Sequence, residues 1–228
     1  MTTTGLEILF DTADLAQVEA GTDIYPLTGI TCNPSIIKKE GAVDLLDHLR
    51  AIRGIIGAEH DLHVQVIAPN ADGMLAEARA LLKGVDEGVY VKVPVTEEGL
   101  RAIKALKADG VRVTATAIYT RLQGTMAIAA GADYLAPYVN RMANLDVDPY
   151  AVVAHLAAMA DRAGTGSKVL AASFKNAGQV NHALAAGAHA VTAAPEVVRG
   201  ALESADVTAA LAGFTRDWAG TFGRNTLL

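Results

Sequence analysis

The heptapeptide VYVKVPV, residues 89–95, places an amine, Lys92, at the centre of the most strand-like apolar run of the chain. Free lysine, with a pKa of about 10.4, is neutral in roughly one molecule in 2,500 at pH 7. Enclosure in a low-dielectric surrounding penalises the ammonium form and leaves more free amine. A neutral amine condenses with ketones and aldehydes to a Schiff base, and the iminium then draws electrons from a neighbouring carbon–carbon bond. The alternative is a lysine ion-paired to a carboxylate such as Asp11. Other polar groups stand at the ends of the remaining strand-like runs: Asp11, Asn33, Gln65, Thr116, Tyr138 and Ser173, with Thr192 as the best candidate of the last run. Buried without partners, each such group costs about 1–3 kcal/mol, so their convergence signals a site rather than a packed core. Taken singly, Asp11, Asn33 and Ser173 also fit caps that start a loop or helix. Tyr138 can give or take a proton, and Arg141, three residues on in APYVNR, offers a planar fork for an anion. Taken singly, these two fit an amphipathic strand aromatic and a solvated loop arginine.

These residues need elements to position them. Eight short β-branched runs are strand candidates: EILFDTA, TGITCNP, HVQVIAP, VYVKVPV, VRVTATAIY, DYLAPYV, KVLAASF and HAVTAAP. Between them lie stretches with apolar residues three and four apart, such as AVDLLDHLRAIRGII, ADGMLAEARALLKG, EEGLRAIKALKADG, YTRLQGTMAIAAG and DPYAVVAHLAAMADRAG. Gly57, Gly84, Gly110, Gly131 and Gly187 stand where these helices stop, each suited to a left-handed cap. Regular βα alternation predicts parallel strands with helices outside. Eight units in 228 residues predict an α/β protein, a closed (β/α)8 TIM barrel. The expectation is a single domain over 1–228 with a C-terminal helical extension. An open doubly wound sheet is disfavoured because no G-x-G-x-x-G follows the first strand. In such a barrel the strand ends carry the reactive groups. Alternation then turns Val89, Val91 and Val93 toward the helices and Lys92 toward the barrel mouth.

Composition narrows the function classes. The chain is 51% hydrophobic and 19% charged with a net charge of −6, enough for a large core and unlike a disordered chain. The absence of a basic run and the 5% aromatic content argue against a nucleic-acid partner. No apolar run reaches membrane-span length, and MTTTGLEILFDTAD lacks the basic start of a signal peptide. The single cysteine, Cys32, precludes a disulfide within the chain. Together these predict a cytoplasmic protein without membrane partners. No Cys/His spacing suits zinc, so no metal is expected; HDLH, from His60 to His63, reads as a solvated turn before a strand.

The segments GITCNPSII, VQV, VYVKVPVTEEGLRAIKALKADG, TATAIY, GADYLAPYVNR, KVLAASFKN and DWAGTFGR, in this order, resemble the small transaldolase-like class I aldolases, most nearly their fructose-6-phosphate aldolase branch. The resemblance runs nearly end to end. It implies a Schiff-base aldolase, without metal or organic cofactor, that reversibly cleaves fructose 6-phosphate to dihydroxyacetone and glyceraldehyde 3-phosphate. It implies Lys92 as the Schiff-base residue, Tyr138 as acid/base, and Gln65 and Thr116 as holders of a catalytic water. Asp11 and Asn33 then bind donor hydroxyls, Asp11 also aiding proton transfer, while Arg141, Ser173 and Lys175 hold the acceptor's phosphate. Transaldolases of this fold carry glutamate at the position of Gln65 and phenylalanine at that of Tyr138, so this chain has the aldolase choice at both. Transfer of a dihydroxyacetone unit between sugar phosphates is the alternative activity, and a non-catalytic sugar-phosphate binder is the third. Cys32 stands where threonine is common, and Thr114 where a more apolar residue is usual toward the end of the fifth strand. With the distinct loop MANLDVDP, these differences leave the acceptor open, a sulfonated sugar included. The resemblance also implies a homo-oligomer, a decamer, in which the segment from about 203 to 228 reaches a neighbouring subunit. Phe214, Trp218 and Phe222 form an aromatic stripe there; the alternative is that it packs on its own barrel.

Overall fold

The computed structural model describes residues 5–228; the first four residues of MTTTGLEILFDTAD lie outside the described residues. Eight parallel strands pair in chain order and close into a barrel. They are β1 (Glu7–Asp11), β2 (Gly29–Thr31), β3 (Asp61–Gln65), β4 (Tyr90–Pro94), β5 (Val113–Ile118), β6 (Tyr134–Pro137), β7 (Lys168–Ala171) and β8 (Ala190–Ala193). Helices Leu15–Ile24, Leu45–Ile56, Ala71–Gly84, Glu97–Ala108, Arg121–Ala129, Pro149–Ala163, Ala177–Ala185 and Pro195–Leu202 follow the strands in turn. The expected (β/α)8 barrel is the observed fold, with a further C-terminal helix, Ala205–Phe222.

The period of two along each strand sorts the side chains. Val64, Val91, Val93, Leu135 and Val169 face outward and pack with Leu49, Ile52, Ile103 and Leu156 of the helices in the main core. Inside the barrel Leu9, Tyr134, Leu170 and Ala190 form a separate small cluster with Tyr90. His63 belongs to this interior, stacked on Tyr90 at 4.5 Å and edge-on to Tyr134 at 5.1 Å. The reading of HDLH as a solvated turn therefore holds only for His60. His63 is fully buried in β3, because Leu62 and Val64 turn outward and leave it facing in. At the lower end of the barrel Glu7 accepts hydrogen bonds from Tyr134 (2.6 Å) and Lys168, and Arg112 lies over the Tyr90 ring at 4.6 Å. Charge and aromatic surface thus close the end opposite the mouth.

The C-terminal helix buries none of its residues, and Phe214 and Phe222 are 69% and 54% exposed. Trp218 packs on Phe222 at a ring distance of 4.1 Å. Phe214 and Phe222 of the aromatic stripe are thus not buried against the barrel of this chain. Among the described residues no helix is long and apolar enough to cross a membrane.

Of the predicted glycine caps, Gly57, Gly110, Gly131 and Gly187 have positive φ, between 71° and 96°. Gly84 does not; it stays in the last turn of Ala71–Gly84, where Leu46 packs against the space a Cβ would fill. Gly99 governs a closer approach. It lies in the first turn of Glu97–Ala108, and a Cβ there would collide with the carbonyl oxygen of Pro94 at the end of β4. Gly99→Ala should therefore destabilise the fold by about 2 kcal/mol, read as a lower thermal midpoint by circular dichroism. An unchanged midpoint would contradict the close approach.

Candidate active site

At the carboxyl ends of the strands lies a cavity of about 290 Å³. Asp11, Asn33, Lys92, Tyr138, Arg141, Ser173, Lys175 and Thr192 all line it. These residues come from six strands or their following loops, and only closure of the barrel brings them together. Lys92 is 4% exposed, and no carboxylate among the described residues forms a salt bridge with it. The ion-paired alternative for Lys92 is thus not what the fold builds.

Thr116 does not reach the cavity wall itself. Its hydroxyl lies 3.0 Å from the Tyr138 hydroxyl, both side chains being buried. The local backbone accounts for this meeting. Between Ala115 and Ile118 the β5–β6 register shifts, and Ala117 takes a left-handed φ of 57°. Such a bulge re-aims the neighbouring side chains. Gln65 pairs in register with Lys92 but borders a second cavity, of about 480 Å³, with Cys32, Val64 and Leu46. Its Oε1 is fully buried without a partner, an acceptor with an unmet hydrogen-bonding demand. Asn33 fulfils the cap alternative: its Oδ1 accepts from the amides of Ser35 (3.0 Å) and Ile36 (3.2 Å) at the start of Pro34–Ile37. The amide nitrogen of Asn33 remains free to donate.

Two loops place the cationic side of the cavity. The amides of Val139 and Asn140 donate to the carbonyls of Ala172 and Ser173, each at 2.9 Å. These bonds tie the short helix Val139–Ala143, which carries Arg141, to the loop after β7. Ser173 holds a left-handed φ of 63°, a conformation that costs a non-glycine residue about 1–2 kcal/mol. Gln179 clasps both loops, donating to Asn140 Oδ1 at 3.0 Å and accepting from the Lys175 amide at 2.8 Å. Arg141 donates to the Tyr119 hydroxyl at 3.3 Å, and its guanidinium lies 4.6 Å from the centre of the Tyr138 ring.

Tyr119, Gln179, Lys39 and Thr31 were not marked by the sequence pattern. Thr31 was legible in principle, being two residues before Asn33 on the same strand face. Tyr119 lies beyond the bulge, where alternation no longer says which way a side chain points. Lys39, on the turn Lys38–Glu40, and Gln179, on a helix, leave no periodic signal. Cys32 is buried on the far side of the strand, where burial pushes its thiol up to about 12. Thr114 lies near the start of β5 rather than its end, and its hydroxyl meets His63 Nδ1 at 2.8 Å. Burial, with the charges of Lys92 and Arg112, holds His63 well below the ordinary imidazole range, so it is neutral at physiological pH. Among the described residues no cluster of His, Cys, Asp or Glu forms a metal-ligand set.

Asp11 accepts from Thr31 at 2.6 Å, and Thr31 meets Thr192 at 2.7 Å. Burial raises the Asp11 pKa; the charge of Lys92 and the Thr31 hydrogen bond oppose this only in part. A carboxyl whose pKa is raised on folding stabilises the fold below its unfolded value of about 3.9 and loses that contribution as pH rises through the folded value. Ionised Asp11 is therefore a stability cost at neutral pH. Asp11→Asn should raise the thermal midpoint at pH 7, and the gain should vanish as pH falls below the ordinary carboxyl range. A midpoint lowered at pH 7, or a gain independent of pH, would contradict this.

A sequence model described as transaldolase/fructose-6-phosphate aldolase matches residues 8–221. A protein of Streptococcus pneumoniae (strain ATCC 700669 / Spain 23F-1) named probable fructose-6-phosphate aldolase is 47% identical over 213 residues, spanning 93% of this chain and 96% of that protein. With its eight-stranded barrel and a match over nearly its whole length, the chain belongs to the transaldolase/fructose-6-phosphate aldolase family.

Proposed function

We propose that this protein is a Schiff-base aldolase that reversibly cleaves fructose 6-phosphate to dihydroxyacetone and glyceraldehyde 3-phosphate. The observation that carries the reading is the Lys92 amine, buried without a salt-bridge partner in a cavity that it lines together with Tyr138, whose hydroxyl meets Thr116 behind the wall. The Lys92 nitrogen adds to C2 of the ketose, and loss of water gives the iminium. The C4 hydroxyl passes its proton through a bound water to the Tyr138 oxygen, the C3–C4 bond breaks, and its electron pair moves into the iminium to leave an enamine. Glyceraldehyde 3-phosphate departs. Tyr138 then delivers a proton to C3 through a water held by Thr116 and the unpartnered Gln65 oxygen. Hydrolysis of the new iminium frees dihydroxyacetone and Lys92. Asp11 and the Asn33 amide bind the donor hydroxyls, while Arg141, Ser173 and Lys175 hold the phosphate. The same three groups suit a sulfonate.

Transaldolase activity is the second reading. Delivery of a proton to the enamine favours release over transfer, so the Tyr138 hydroxyl supports the aldolase. Supplied with fructose 6-phosphate alone, the protein should form glyceraldehyde 3-phosphate. Product that appears only when erythrose 4-phosphate is added would replace the aldolase reading by the transaldolase one. Tyr138→Phe should shift partitioning toward transfer, by the 10²–10⁴-fold typical of losing a positioned acid/base group from the release step.

We further propose a cytoplasmic homo-oligomer, decameric in line with the family resemblance. Its support is the unburied stripe of Phe214 and Phe222 on the C-terminal helix. Light scattering should give a ten-chain mass, which Phe214→Asp with Phe222→Asp should reduce; a monomeric wild type would refute the assembly.

A further inference from the structure

The acid and the anion clamp of this site are not separate parts. Arg141 donates to the Tyr119 hydroxyl at 3.3 Å while its guanidinium lies over the Tyr138 ring, 4.6 Å from the centroid. Tyr119 also meets Tyr138 edge-on at 5.6 Å, so one tyrosine braces both partners. The Tyr138 hydroxyl is turned to Thr116 at 3.0 Å. The charged groups sharing the cavity with Tyr138 are Lys92 from β4, Asp11 from β1, Lys175 from the loop after β7, and Lys39 and Glu196 at the rim. Arg141, the sixth charged group of the cavity, has its charge over the ring face.

A cation over an aromatic face favours the ring that carries negative charge. An anion bound to the guanidinium brings an opposite charge close behind it and offsets part of that effect. Resting on the aldolase reading above, we propose that Tyr119 holds Arg141 as a shared charge between acceptor and acid, so that an anion in the clamp restrains proton transfer by Tyr138. While the phosphorylated aldehyde is bound, its phosphate occupies Arg141, the phenol keeps its proton, and the enamine stays ready for the carbon–carbon bond to re-form. When the aldehyde leaves, the guanidinium is uncompensated. The phenolic proton then passes to C3, the enamine electron pair forms the C–H bond, nitrogen regains the iminium, and the phenolate is stabilised beneath Arg141. Release of dihydroxyacetone is thereby timed to follow release of the aldehyde. Tyr119 acts as a positioning residue and touches no reacting atom.

The test is enzyme-catalysed washout of deuterium from deuterated dihydroxyacetone by the full-length protein, followed by NMR across pH. The probe is inorganic phosphate, against sodium chloride at matched ionic strength to remove simple screening. Below the midpoint of the pH profile, phosphate should slow washout by roughly two- to five-fold and move the midpoint to higher pH. Arg141→Gln should show the higher midpoint without phosphate and no response to it. Tyr119→Phe should move the midpoint upward and weaken the response, which mere loosening of a loop would not do. Washout that is indifferent to phosphate, or a phosphate response that survives in Arg141→Gln, overturns this proposal alone. Absence of washout at every pH overturns the aldolase reading and the proposal together.

Discussion

The register of β3, β4 and β5 is the constraint on which the site depends. Gln65 pairs with Lys92, and Lys92 with Thr114. Because side chains alternate across a strand, a slip of one residue would turn Lys92 into the hydrophobic layer under the helices and Val91 or Val93 into the mouth. Burial of those valines in the outer core therefore fixes the lysine's direction. The close seat of Gly99 on the Pro94 carbonyl pins the same strand from its end.

Around that lysine the barrel accepts local costs. Asp11 is buried to the point that its carboxyl resists ionisation. Ser173 and Ala117 hold left-handed backbone, and the Gln65 oxygen lacks a partner. All four lie at the carboxyl ends of the strands or in the loops that follow. At the opposite end Glu7 accepts from Tyr134 and Lys168, and among the described residues the one unmet group beside them is the buried Nε2 of the neutral His63. Stability resides at one end and along the outer core, and chemistry at the other, as the division of labour in such barrels requires.

Much of this was legible in the sequence. All eight runs became strands, and the alternation in VYVKVPV correctly turned the lysine inward. Asp11, Asn33, Tyr138, Arg141, Ser173, Lys175 and Thr192 converge on one cavity. The failures have physical causes. His63 looked like a solvated histidine because its aromatic neighbours, Tyr90 and Tyr134, are distant in the chain. Tyr119 was hidden by a bulge that no local pattern announces. Gln179 connects two loops through hydrogen bonds that exist only once β6 and β7 are side by side. Periodicity reports the face a residue occupies; it does not report contacts made by loops across the barrel mouth.

The account stands or falls on the Lys92 amine as a nucleophile toward ketones. Its most direct test is borohydride reduction of the protein in the presence of dihydroxyacetone, followed by peptide mass mapping. The account predicts one stable adduct per chain, on the peptide that contains Lys92, and none in Lys92→Met. A protein that emerges unmodified, or modified on another lysine such as Lys39 or Lys175 with Lys92 untouched, would contradict it.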